Sequence, residues 1–195
     1  MGGMMTLAEA MDRCRDAGHE LRREARRFSF GSPEECRGLL REAVMATDKS
    51  VGELEFTPQV EAVAAWMADT GGKGLILTGP PGTGKTMLLH TVPLLFLYRF
   101  GLVVHYADAR RLQGVDFTAL VCVDDVGTET PVSDFGNKRD LFPELVCAAE
   151  EAFRPLFVST NLTGAELNRR YDVRITDRLV RLCRPIKFDG RSRRR

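Results

Sequence analysis

Two hydrophobic patterns alternate along the chain. Short apolar runs stand at Leu75-Ile76-Leu77, Val103-Val104, Leu120-Val121-Cys122-Val123, Leu156-Phe157-Val158 and Ile186-Lys187-Phe188. Brief continuous runs of this kind, ending in Thr, Ser or Asp, read as strands covered on both faces of a parallel sheet. Between them, apolar residues recur three and four positions apart, the period of a helix with one buried face. This holds for Leu7, Met11 and Cys14, for Leu39, Leu40, Ala43 and Val44, and for Val60, Val63, Ala64 and Met67. It holds again for Leu141, Phe142, Leu145, Val146 and Ala149, and for Ile175, Leu179 and Leu182. Start signals sharpen the helices: Thr6 with Glu9, Ser32-Pro33 with Glu34 and Glu35, Thr57-Pro58, and Thr163 with Glu166. In each, a side-chain oxygen can accept from a first-turn amide. Pro93 is expected to kink or restart the apolar helix that opens at Met87, because it has no N–H to donate. Trp66 reads as packing of its helix on the core, with stacking on a nucleotide base as the alternative.

One stretch organises the rest. Gly79-Pro80-Pro81-Gly82-Thr83-Gly84-Lys85-Thr86 follows the first expected strand and opens a helix. This is the context that G-x-x-x-x-G-K-[ST] requires. Its glycines let backbone N–H groups turn inward around phosphate oxygens, and the helix N-terminus adds a positive dipole end. Lys85 can reach the β- and γ-phosphates of ATP, and the Thr86 hydroxyl can ligate Mg²⁺. Asp124 and Asp125 end the third expected strand at the edge where an open α/β sheet binds its ligand. Asp124 is placed to hold Mg²⁺ through its water shell, and Asp125 to polarise the attacking water. Asn161 follows the fourth strand and can bond the γ-phosphate or the water; capping a turn is its alternative. Glu129 reads as a solvated acid. The segment from Ala107 to Gln113 is one short helix at most, and residues 133–139 form a polar stretch. Three scattered histidines give no metal site.

Composition changes the picture in two places. The 195 residues carry 28 basic and 27 acidic side chains, so net charge alone gives no argument for nucleic acid. The distribution does: residues 169–195 hold 11 basic and 3 acidic residues, and four arginines stand between Arg22 and Arg27. These are electropositive candidates for DNA or an acidic partner, with a solvated helix face as the alternative for the arginine run. Five cysteines without C-x-x-C spacing fit a reducing compartment. No signal pattern and no apolar stretch near the ~18 residues of a membrane span are present, so the expected location is cytoplasmic.

The motifs carry a resemblance. Gly79–Thr86, Leu120–Gly127, Ser159-Thr160-Asn161-Leu162, Arg174-Ile175-Thr176-Asp177-Arg178-Leu179 and Gly190-Arg191-Ser192-Arg193-Arg194 occur in order. From roughly residue 50 onward the chain resembles the AAA+ branch that includes the bacterial replicative helicase loader and the ATP-binding subunit of insertion-sequence transposases. The resemblance implies a P-loop NTPase of α/β class, with a five-stranded parallel sheet in the order 5-1-4-3-2 and no substantial helical lid. It divides the chain into a helical N-terminal region, 1–50, and an ATPase domain, 51–195. It places Asp125 at the catalytic acid, Asn161 at sensor 1, Arg178 at the arginine finger and Arg194 at a C-terminal arginine resembling a sensor 2. It implies ATP and Mg²⁺ as cofactors. The implied partners are further copies of the chain, single-stranded or duplex DNA, and a replicative helicase or a transposase. Relatives carry a longer segment than residues 107–119 between the second and third strands. Two other classes stay open: a nucleotide-gated adaptor with little hydrolysis, and a small-molecule kinase.

Overall fold

The structure is a computed structural model that describes residues 5–18, 25–134 and 137–189. The expected helices form with the expected caps. They are α1 (Leu7–Asp16), α2 (Pro33–Thr47), α3 (Pro58–Ala68), α4 (Lys85–Phe100), α5 (Leu141–Glu151), α6 (Gly164–Tyr171) and α7 (Val173–Leu182). Thr6, Ser32 and Thr163 each accept from the amide three residues on, and Glu9, Glu35 and Glu166 bond back to the cap residue. Thr57 caps α3 in the same way, without the returning acid.

The strands are β1 (Gly74–Thr78), β2 (Val104–Asp108), β3 (Leu120–Val126), β4 (Val132–Asp134), β5 (Asn137–Arg139), β6 (Phe157–Thr160) and β7 (Cys183–Lys187). Five of them form a parallel sheet in the order β2-β3-β6-β1-β7, the strand order that the resemblance implies. The other two, β4 and β5, pair as an antiparallel hairpin where only a polar stretch was expected. The last strand begins at Cys183, three residues before the expected Ile186. Arg184 and Pro185 hide it in the sequence. Pro185 is tolerated because β7 is an edge strand, where an amide can be missing without breaking a ladder on both sides.

Alternate residues of each strand feed two cores. Leu75, Leu77, Cys122 and Phe157 face α2, α3 and α4. Ile76, Val121, Val123 and Val158 face α5, α6 and α7. The result is three layers, which is why these strands read as continuous apolar runs. The first core continues across residue 50: Phe28, Phe30, Cys36, Leu40 and Val44 share it with α3 and α4. Phe28 and Phe30 meet Phe96 edge-on, with ring centroids 5.0 and 5.4 Å apart. Each such pair contributes about 0.5–1.5 kcal/mol beyond area burial. Trp66 is buried against Phe157 and donates Nε1–H to the Lys73 carbonyl at 2.9 Å, so it packs and does not face a ligand.

Pro93 neither ends nor restarts α4, which runs unbroken from Lys85 to Phe100. A proline at position 93 leaves the Leu89 carbonyl without its helical donor. The Cys122 thiol of β3 donates to that oxygen at 3.6 Å. Of the 107–119 segment, Ala107 and Asp108 end β2, and the rest is a single 3-10 turn, Ala109–Arg111, followed by coil. Arg154 fixes the coil, donating to the Phe117 and Ala119 carbonyls at 2.6 and 3.1 Å. Among the described residues no helix is long and apolar enough to cross a membrane.

Candidate active site

The loop between β1 and α4 is shaped by its glycines. Gly79, Gly82 and Gly84 have φ of 139°, 78° and 98°, a region that side-chain-bearing residues avoid. At Gly79 a Cβ would also lie 2.1 Å from the Phe188 carbonyl oxygen. Helix α4 starts differently from α1, α2, α3 and α6. Thr6, Ser32, Thr57 and Thr163 cap α1, α2, α3 and α6 with a side-chain oxygen, whereas the N-cap of α4 is Gly84, which has none to offer. The first amides of α4 are thereby left for a ligand, and an anion suits them best.

Lys85 is buried, at 4% exposure. Its ammonium donates to the Gly79 and Pro80 carbonyls at 2.7 and 2.8 Å and to Asn161 Oδ1 at 2.8 Å. The Asn161 amide donates in turn to Asp125 Oδ1 at 3.4 Å. Asn161 is therefore a bridge between the P-loop lysine and an acid near the end of β3. Capping α6 falls to Thr163 instead.

The two acids lie where the β3–β6 register shifts, between Val123 and Val126. Such an irregularity re-aims side chains at a sheet edge. Asp125 takes φ 54°, the left-handed region that Asp tolerates better than most residues. The buried Asp124 carboxylate gathers hydroxyls. Thr86 donates to Oδ1 at 3.1 Å, Ser159 also donates to Oδ1, and Tyr106 of β2 donates to Oδ2 at 2.7 Å. Burial, then the bond to Asp124, pushes the Tyr106 hydroxyl well above its ordinary pKa, so it remains a donor. Its ring lies edge-on to His90, with centroids 4.4 Å apart. Tyr106 was not singled out in the sequence, because only the register that sets β2 beside β3 brings it to Asp124. At the next edge position, Arg110 holds the Asp108 carboxyl down at about 2.

Lys85, Thr86, Asp125 and Asn161 border a cleft of about 1260 Å³, large enough for a nucleotide. One wall is the P-loop with Asp125 and Asn161; the other is the segment before α3 and the first turn of that helix, with Val51, Leu54 and Val60, closed by Phe188. The donor set fits the cofactors the sequence suggests. A hydroxyl and a carboxylate bonded to each other suit a hard cation that keeps water and phosphate oxygens as its remaining ligands, which is how Mg²⁺ is usually held. Among the described residues no cluster of three or more His, Cys, Asp or Glu offers an all-protein metal cage.

Arg178, an expected site residue, does not line this cleft. Arg178 lies on α7, where its guanidinium pairs with Glu150 of α5 at 2.8 Å, and Arg181 reaches the same carboxylate at 3.3 Å. Arg194 lies outside the described residues, as do Arg22 and Arg23 of the arginine run. Glu129, read as a solvated acid, is instead 7% exposed and bonded to Gly127 and Tyr171.

The family model for the magnesium chelatase subunit ChlI matches residues 56–99, which hold α3, β1, the P-loop and most of α4. No curated protein sequence matches the chain. Among solved structures, the chain is similar to the crystal structure of DnaI, with a TM-score of 0.56 and 21% identity over 81% of this chain and 93% of the other. It is also similar to the crystal structure of the DnaC helicase loader, with a TM-score of 0.51 and 20% identity over 60% of this chain and 78% of the other. The fold is of the P-loop, AAA+ type. At these identities the likeness is one of fold, and the chemistry has to be argued from the cleft.

Proposed function

We propose that this chain is a Mg²⁺-dependent ATPase that assembles with copies of itself on DNA and serves as a helicase loader or transposition helper. The observation that carries the ATPase reading is the continuous bonded set Lys85–Asn161–Asp125, beside Thr86–Asp124, at an uncapped helix N-terminus. Lys85 would exchange Asn161 Oδ1 for phosphate oxygen when ATP enters. Asn161, released from the ammonium, would hold the water that Asp125 polarises. Thr86 and Asp124 would hold Mg²⁺, which would supply positive charge against the charge that develops on the phosphates. The leucine and valines of the facing wall offer an apolar seat for the base.

The likeness to a helicase loader supports the choice of partner, and the C-terminal charge supports DNA. Much of that charge is already used inside the fold. Arg170, Arg178 and Arg181 pair with acids of the same chain, and Arg184 bonds the Asp69 carbonyl. DNA contact would therefore fall to the exposed Arg169 and Arg174 and to the arginines of residues 191–195. A nucleotide-gated adaptor is the second reading, favoured by one observation: Arg178 is held by Glu150.

The test is ATP binding and turnover by purified protein, alone and with single-stranded DNA. Wild-type protein should bind ATP with Mg²⁺ and turn it over faster once DNA is added, and Lys85→Ala should lose binding. Binding without turnover in an assembled, DNA-bound sample would favour the adaptor. Unchanged ATP affinity in Lys85→Ala would reject the site.

A further inference from the structure

A buried polar cluster lies directly behind the turn that presents Asp125. Glu129 Oε2 accepts from the Gly127 amide at 2.8 Å, and Oε1 accepts from the Tyr171 hydroxyl. Arg170 donates to the Glu129 carbonyl at 2.9 Å and reaches Asp140 Oδ2 at 3.2 Å. The bonds made by Arg170 and Tyr171 join the segment after β3, and the N-cap of α5, to the last turn of α6. The next residue, Asp172, takes φ 75° and caps α7, the helix of Arg178.

We propose that Glu129, Tyr171 and Arg170 are positioning residues that hold the Asp125 turn and couple it to α6 and α7. The inference rests on the reading of Asp125 as the water-polarising acid. The turn needs holding. Asp125 is left-handed, and Gly127 has φ 105° with Leu162 Cδ1 only 2.5 Å from where a Cβ would stand. The Thr128 amide and hydroxyl both donate to the Asp125 carbonyl, at 3.2 and 2.8 Å. Without Glu129 the Gly127 amide would lose its acceptor, and the direction of the Asp125 side chain would no longer be fixed.

The competing account is a plain anchor for a surface loop. An anchor is made as well by apolar side chains of the same volume, since a buried carboxylate gives up its hydration. A polar cluster gives direction, because each of its bonds has a required angle. Burial pushes the Asp140 carboxyl up, and its Oδ1 is buried without a hydrogen-bond partner among the described residues, so this region was not assembled for stability alone.

Two variants test the proposal, Glu129→Gln and Tyr171→Phe, each checked for an unfolding transition like that of wild type. Tyr171→Phe keeps the ring contact with Phe142 and removes only the hydroxyl. In assembled protein, kcat should fall about tenfold in either variant, the lower end of what outer partners of a reacting group contribute. KM and the affinity for a fluorescent ATP analogue should stay at the wild-type values. The double variant should be no worse than the singles, because the two bonds act as one unit. Unchanged kcat in both folded variants would reduce the cluster to an anchor. Hydrogen exchange gives a readout that needs no turnover. Amides 125–128 should exchange about tenfold faster in both variants, as for loss of one bond to a charged group, while α5 is unaffected. Unaltered exchange there overturns the proposal whether or not the protein hydrolyses ATP. Absence of turnover in wild type, with faster exchange in the variants, would overturn the ATPase reading and leave the holding of the turn intact.

Discussion

The cleft and the α7 surface carry the two halves of the chemistry proposed here, and they are built in opposite ways. In the cleft, Lys85, Asn161, Asp125, Asp124 and Thr86 bond to one another, and Lys85 and Asp124 are buried. Such groups need little reorganisation to act. On α7, the Arg178 side chain is 34% exposed and bonded to an acid that has no place in the cleft. A guanidinium is always charged and presents a rigid fork of donors, which suits a γ-phosphate. This one must first leave Glu150. On the reading proposed here, nucleotide binding is built into one chain, while the final positive charge would have to be delivered, and a neighbouring subunit is the source we propose.

The largest effect should come from breaking the delivered half. Arg178→Ala in assembled protein should bind ATP normally and lose about 10³-fold in turnover, the lower end of what a finger supplied in trans contributes in other P-loop systems. Mixing it with Lys85→Ala protein, whose own site is dead and whose Arg178 is intact, should restore part of the activity. No recovery at any ratio, in a sample shown by light scattering to co-assemble, would place Arg178 outside the reaction.

Next comes the built-in half. Asp125→Asn should keep ATP affinity and lose about 10²-fold in turnover, the lower end of the range for general acid–base groups. The substitution is nearly isosteric, so the Asn161 contact and the unfolding temperature should survive. Wild-type turnover would remove Asp125 from the mechanism.

This contrast was only half legible in the sequence. The P-loop, the acids near the end of β3 and the caps of α1, α2, α3 and α6 were readable because each is a local pattern, set by residues within a few positions. The sheet order came from resemblance, since nothing in an apolar run says which strand lies beside it. What stayed hidden depends on register and burial. Tyr106 reaches Asp124 because Asp108 pairs with Asp124 across β2 and β3. Glu129 looks like any loop acid until α6 folds over it with Tyr171. The start of β7 was missed because Arg184 and Pro185 break the apolar run, and an edge strand does not need one.

Tyr106 sharpens the built-in half. Its hydroxyl fixes Asp124 Oδ2 while Thr86 and Ser159 fix Oδ1. Tyr106→Phe should raise the Mg²⁺ concentration for half-maximal turnover about tenfold, as for loss of an outer partner of a metal-holding carboxylate. Turnover at saturating Mg²⁺ should be little changed. A fall in the saturated rate with no shift in the Mg²⁺ requirement would mean that Tyr106 does not act through Asp124.

The smallest effect should come from Glu150, and its sign decides what the pairing with Arg178 is for. Glu150 also takes Arg181, so the carboxylate is shared between a half-buried and an exposed arginine of one helix. A pair as open to solvent as this contributes at most about 1 kcal/mol, and Glu150→Gln should leave the unfolding temperature almost unchanged. If Glu150 competes with the phosphate for the guanidinium, the variant should reach half-maximal ATPase at a lower protein concentration. The shift should be no more than about fivefold, which is what 1 kcal/mol allows. If Glu150 instead aims Arg178 across the interface, turnover should fall toward that of Arg178→Ala while ATP affinity holds. The first outcome fits an arginine that is stored against its own chain until a neighbour arrives, and it is the one we expect. Arg178 already has a satisfied partner within its own chain, so the ATP of a second subunit has to outbid a carboxylate for it, and a γ-phosphate with its greater charge can do so.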